Sequence, residues 1–215
     1  YPTKDAEDLS KTVELAANNL FGEDRVFITN ITSNTAIKPS SSNIRLALDD
    51  IGKNMNPEDV LMIFFSGHGE INKLTDDKFQ LLCYESNADF YDGISTDDLL
   101  SWISKDGPHK ILASKRILIF DACKSGGFVT DIYSSKDTES LRLESERLKQ
   151  LEELKEKAGL FILSASSENQ LSYEYKELSQ GLLTYCLLKT ISEGNFTFNK
   201  SYLNVNSWFT QTGQT

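Results

Sequence analysis

The sequence has 215 residues, 39% hydrophobic and 25% charged, which suits one globular domain of ordinary size. Its 32 acidic residues against 22 basic ones leave a formal charge of −10 and a pI near 4.7, which excludes the basic footprint of a general nucleic-acid binder. No apolar run is long enough for a membrane-spanning helix, and no charged-then-apolar signal pattern opens the chain.

The acidic balance fits a basic substrate or partner, although a merely solvated surface is the plainer and preferred reading. Cys83, Cys123 and Cys186 are an odd count with no Cys-x-x-Cys pair, so they suggest neither a disulfide framework nor a zinc cluster. A reducing, cytoplasmic compartment is expected, without membrane or nucleic-acid contact. The chain opens on Tyr1, close to a helix, and stops at a polar "TQTGQT". It reads as one domain, residues 1–215, cut from a longer protein with flanking regulatory domains or a partner.

In chain order, residues 5–20 place Leu9, Val13, Ala16 and Leu20 at helical spacing, with Gly22 as the stop. "RVFIT" (25–29) is a β-rich run, and 40–55 is a serine-capped amphipathic helix. "DVLMIFFSG" (59–67) predicts a strand buried on both faces, followed by a strand at 78–86 and a capped helix at 95–106. "RILIFDAC" (116–123) and "GLFILSAS" (159–166) predict two more buried strands. Helices are expected at 180–194 and 201–210. Strands alternating with helices predict an α/β sandwich around a mostly parallel sheet, whose ligands bind beyond the carboxyl ends of its strands.

Residues 131–158 break this rhythm, being densely charged with both signs and without aromatics after Tyr133. They read as a surface insertion between core strands, or as an exposed linker cut during activation. Lys136, Arg142, Arg147, Lys149, Lys155 and Lys157 supply basic residues there.

The chain has two histidines. His109 lies in a polar turn and needs no special role. His68 stands between glycines just past a buried strand, which alone is a weak signal, since glycines also simply make turns. Cys123 alone is equally ambiguous, because free cysteines are among the most buried residues. Cys83 and Cys186, inside apolar elements, read as core. Cys123 differs, because Lys124, Ser125, Gly126 and Gly127 follow it and a strand ending in such a turn exposes its last side chain. Together, a thiol and an imidazole at two strand ends supply a nucleophile and its base.

"FFSGHGE" (64–70) followed by "IFDACKSGG" (119–127) resembles the caspase-like cysteine peptidases (clan CD, family C14), especially the metacaspase and bacterial caspase-homologue branch. Caspases carry a Gln-Ala-Cys-x-Gly signature, and here the glutamine position is Asp121. The resemblance extends to "KDAEDL", "NPEDVLMIFFSGHG", "LFILSASSENQLSYE" and "SQGLLTYCLLKTI", covering nearly the whole chain.

The resemblance implies a three-layer α/β/α sandwich and hydrolysis of peptide bonds in protein or peptide substrates through a thioester. In it Cys123 is the nucleophile, His68 the acid/base, and the backbone N–H groups of Gly69 and Cys123 the oxyanion hole. Asp121, two residues before Cys123, leaves the strand on the same face and would favour a basic P1 residue. It could instead accept backbone N–H bonds in the following turn. The family's pocket also matches Ser66 and Asp5. Cleavage after Arg or Lys is therefore expected, with self-cleavage in 131–158 as an activation route. A non-catalytic caspase-like scaffold, or a thiol-dependent transferase or ligase, is the rival.

Two departures stand out. The family's sheet begins with an apolar strand before the first helix, and none precedes "YPTKDAE". Asp97 and Asp98 match a calcium-binding position of some metacaspases, but helix capping by Ser95 or Thr96 explains them better, so no cofactor or metal is expected.

Overall fold

The computed structural model describes residues 1–74, 77–86, 93–134, 158–166, 174–175, 179–193 and 204–214. Residues 135–157, with the basic residues of the expected linker, and 167–173, within the family-like stretch "LFILSASSENQLSYE", lie outside the described residues.

Helix α1 (Pro2–Phe21) starts on a proline whose missing N–H costs nothing there. It stops at Gly22, whose φ of 91° lies in the left-handed region and whose N–H reaches the Asn18 carbonyl. The "RVFIT" run is not a strand. Glu23–Arg25 form a single 3₁₀ turn, and Phe27 is 88% exposed. β propensity without a neighbouring strand to pair with does not make a sheet. Helix α2 (Ser41–Asn54) is capped as expected by Ser40, whose Oγ accepts the Asn43 N–H at 3.1 Å.

The main sheet has three parallel strands, β1 (Val60–Gly67), β5 (Lys115–Ala122) and β6 (Leu160–Ser164), in the order β1-β5-β6. Between β1 and β5 lie β2 (Gly69–Asn72), β3 (Lys78–Leu81) and β4 (Ile94–Ser95) in a small antiparallel sheet, then helix α3 (Thr96–Trp102). The expected strand at 78–86 is therefore short and belongs to a hairpin. After β5 comes α4 (Gly126–Ser134). After β6 come the short paired strands β7 (Glu174–Tyr175) and β8 (Gln180–Gly181), then α5 (Leu182–Ser192) and α6 (Val205–Gln214).

Alternation along the strands builds two cores. Leu118 and Phe120 of β5, with Ile63, Phe65 and Ile162, face the core made with α2, α3, α4 and the hairpin. Ile117 and Ile119, with Met62, Phe64, Phe161 and Leu163, face α1, α5 and α6 through Leu9, Leu187 and Trp208. Helices thus cover both faces of the parallel sheet, giving the expected three layers. Phe120 and Phe128 stack with ring centroids 4.7 Å apart in the first core. Only β5 is the doubly covered strand expected of all three apolar runs. Most of β1 is half-exposed, because among the described residues it pairs on one side alone.

His109 does lie in a turn, but its ring is buried. Its Nδ1 meets the Asp49 carboxylate, and the ring stands edge-on to Trp102. Cys186 is buried in α5, while Cys83 lies just beyond β3, packed against the first core.

Candidate active site

The site grows from the register of two parallel strands. β1 and β5 pair residue for residue, with Ser66 opposite Asp121 and Gly67 opposite Ala122 as the last pairs. His68 and Cys123 are the next residue on each strand, so they leave the carboxyl edge at the same level. Adjacent strands lie about 4.8 Å apart. His68 is exposed and Cys123 half-buried.

Both loops are anchored from behind. The His68 carbonyl accepts the Leu82 N–H at 2.9 Å, tying the residue to the end of the hairpin. Gly69 opens β2 against the Cys123 loop, where a Cβ would stand 2.4 Å from the Cys123 carbonyl oxygen and 2.7 Å from the Phe79 ring. No other residue fits there. On the cysteine side, Lys124 takes φ 55°, and the chain turns straight into α4. Ser166, beyond β6, holds that turn. Its Oγ donates to the Ala122 carbonyl and accepts the Ser125 N–H, and its carbonyl accepts the Gly126 N–H at 2.8 Å. Lys124 Nζ bonds the Glu70 carboxylate across the two loops.

The strand parity that sends Met62, Phe64, Ile117 and Ile119 toward α1 and α5 sends Ser66 and Asp121 there too. The Ser66 hydroxyl donates to Asp5 of α1 at 2.9 Å, and Asp5 also accepts the Gly181 N–H at 3.2 Å. Asp121 accepts the Thr184 N–H at 2.9 Å and the Thr184 hydroxyl at 2.6 Å, which satisfies the first turn of α5. One backbone donor to it therefore comes from a helix 63 residues along the chain. Asp5, Ser66 and Asp121 thus form one cluster, with both aspartates buried beneath Gly181, whose Cα lies against the Asp121 carboxylate. Burial pushes the Asp5 carboxyl above the ordinary carboxylate range. Ser66 and Gly181 pull it down, and the Asp121 charge pushes it up again.

Asp97 and Asp98 lie apart from this cluster, in the first turn of α3. Asp98 accepts the Ser95 hydroxyl at 2.6 Å, while Ser95 Oγ accepts the Asp98 N–H at 3.1 Å. This reciprocal cap is the expected capping arrangement. Sequence reasoning missed Ser125, Ser166, Thr184 and the Glu70–Lys124 pair. Only the charges of Glu70 and Lys124, placed beside the two motifs, offered a signal.

A parallel α/β/α sandwich with a histidine and a cysteine at the ends of adjacent strands defines a class of fold, and the family match accords with that fold. The caspase domain family (Peptidase C14) matches residues 1–214, and the chain belongs to that family. It is similar to Metacaspase-6 of Arabidopsis thaliana, 28% identical over 116 residues that cover 52% of this chain and 30% of that protein. Metacaspase-4 of the same plant is 27% identical over 144 residues, 65% of this chain and 32% of that protein. These matches span less than a third of either relative. The crystal structure of protein GSU0716 from Geobacter sulfurreducens shares the fold, with a TM-score of 0.58 and 19% identity over 99% of this chain and 78% of that one. No helix among the described residues is long and apolar enough to cross a membrane.

Proposed function

We propose that this domain is a cysteine endopeptidase that cleaves after Arg or Lys. The observation that supports the reading is the register of β1 and β5, in which Ser66 pairs with Asp121 and His68 and Cys123 each follow two residues later, with Ser66 bonded to Asp5.

In this mechanism the Cys123 thiolate attacks the scissile carbonyl, forming a C–S bond, and backbone N–H groups of Gly69 and Cys123 stabilise the oxyanion. His68 gives its proton to the leaving amine as the peptide C–N bond breaks, leaving a thioester. It then takes a proton from water, whose oxygen displaces Cys123 and releases the new carboxylate. Burial and the neighbouring Asp121 charge make the Asp5 carboxylate costly to ionise, and a cationic P1 side chain would offset that cost. Residues 131–158 contain Lys and Arg residues that match this specificity, so the segment is a candidate for self-cleavage.

Labelling by an arginyl chloromethyl ketone, located by peptide mass spectrometry, tests the reading together with a scan of P1 residues. The expected result is modification at Cys123, turnover of P1-Arg and P1-Lys peptides only, and fragments divided within 131–158 that Cys123→Ala does not form. A protein that labels but prefers P1-Asp overturns the specificity. One that neither labels nor cleaves is the non-catalytic scaffold, and one that passes the acyl group to an amine rather than to water is a ligase.

A further inference from the structure

Two half-buried side chains outside the Cys–His pair and the carboxylate cluster join the strand-tip loops. Glu70 stands two residues after His68, and Lys124 stands one residue after Cys123. Their ion pair crosses the gap between the β1–β2 and β5–α4 connections. Glu70 also accepts its neighbour's N–H, that of Ile71, at 3.0 Å, which fixes the carboxylate on β2. Partial burial raises the Glu70 carboxyl, but the Lys124 and Ile71 bonds and the Lys124 charge outweigh it and hold it below the usual range.

The lysine end is constrained as well. Lys124 occupies the left-handed region at φ 55°, which a non-glycine residue adopts only when its surroundings hold it there. Its carbonyl accepts the Gly127 N–H at 2.8 Å on the α4 side, and its ammonium is held on the hairpin side. Between these ends, Gly69 touches the Cys123 carbonyl with no room for even a methyl group. The two loops are therefore in backbone contact, and a change on either side transmits to the other. With side chains 29% and 32% exposed, the pair adds little to global stability, so its value is local.

We infer that the Glu70–Lys124 ion pair is a positioning clamp that sets the separation of His68 and Cys123, and that breaking it slows turnover without weakening peptide binding. The inference rests on the peptidase function proposed above. Glu70 and Lys124 are positioning residues in this account. Both act through the residues beside them, where a misplacement of about 1 Å costs roughly 10²-fold in rate.

The experiment compares wild type with E70Q, K124M and the charge swap E70K/K124E, each checked for folding by circular dichroism and thermal melting. It reads kcat and KM on a P1-Arg peptide, and the rate of Cys123 alkylation by iodoacetamide at pH 7, with His68→Ala as baseline. Each single variant should lose about 10- to 100-fold in kcat with KM within about twofold, and the swap should recover much of it. Melting temperatures should stay within about 3 °C of wild type. Alkylation of Cys123 in the single variants should fall toward the His68→Ala rate. Single variants with wild-type kcat and alkylation, a loss confined to KM, or a swap no faster than the singles would overturn the clamp. A wild type that cleaves no peptide, yet alkylates Cys123 faster than His68→Ala and loses this advantage in both single variants, sinks the peptidase reading and supports the clamp.

Discussion

Asp5 sets stability against the substrate-binding role proposed for it. Burial raises its carboxyl above the ordinary range, so the folded chain holds that proton more tightly than the unfolded chain does. The associated stability is fully present below the unfolded pKa and is lost as pH rises through the folded one. Asp5→Asn removes this penalty and keeps an acceptor for Ser66 and Gly181. The variant should melt higher than wild type at pH 7, with the gap closing as the pH falls toward about 4. It should also lose about 30-fold or more in kcat/KM on P1-Arg peptides, the cost of removing one partner of a buried charge pair. Thermal scans and P1 kinetics across pH on both proteins check this. The acid limb of the wild-type KM profile should begin at a higher pH than an ordinary carboxylate gives. Asp121 was legible in the sequence because strand parity puts it on one face with Cys123. Its partner Thr184 was not, because a helix end 63 residues away meets it only through the fold.

Among the elements, the β2–β3 hairpin is the one the sequence described least well. "KFQLLCYES" has the apolar content of a core strand, yet it folds into a short antiparallel arm whose first residues are tied down from α4. Asp131 accepts the Phe79 N–H at 2.8 Å and the Thr96 hydroxyl at 2.9 Å, joining the hairpin to α3 and α4. Periodicity reports which residues are apolar, not whether a strand joins the parallel sheet or leaves it. The strands at 59–67, 116–123 and 159–166 were legible because continuous apolar runs at that length have few other uses. "RVFIT" misled because its propensity has no neighbouring strand to satisfy. Gly69→Ala probes the hairpin's fit, since its Cβ meets a backbone carbonyl that side-chain motion cannot clear. Overpacking of this kind costs about 1–3 kcal/mol, so the melting temperature should fall by about 2–12 °C. Peptide turnover should fall further than stability explains, which kinetics well below the melting range would separate.

At the scale of the molecule, a formal charge of −10 surrounds a site proposed to receive a cation. Such a field raises the encounter rate for basic substrates and fades as the Debye length shrinks to about 8 Å at physiological ionic strength. kcat/KM for a peptide bearing several Arg or Lys residues should therefore drop several-fold between about 10 and 300 mM salt, while kcat stays nearly constant. Stopped-flow or initial-rate series over ionic strength check it, and a flat response would remove steering from the account. The pairing of Gly67 with Ala122 has a consequence for how such a chain can diverge. Because ladder register rather than side-chain identity sets the height of His68 and Cys123, most substitutions in β1 and β5 leave these two residues where they were. Losing or gaining one residue within either strand inverts every face beyond it and moves His68 away from Cys123. Exchange of letters, as in relatives 27–28% identical, can leave this register intact, whereas a one-residue insertion or deletion within β1 or β5 would displace it.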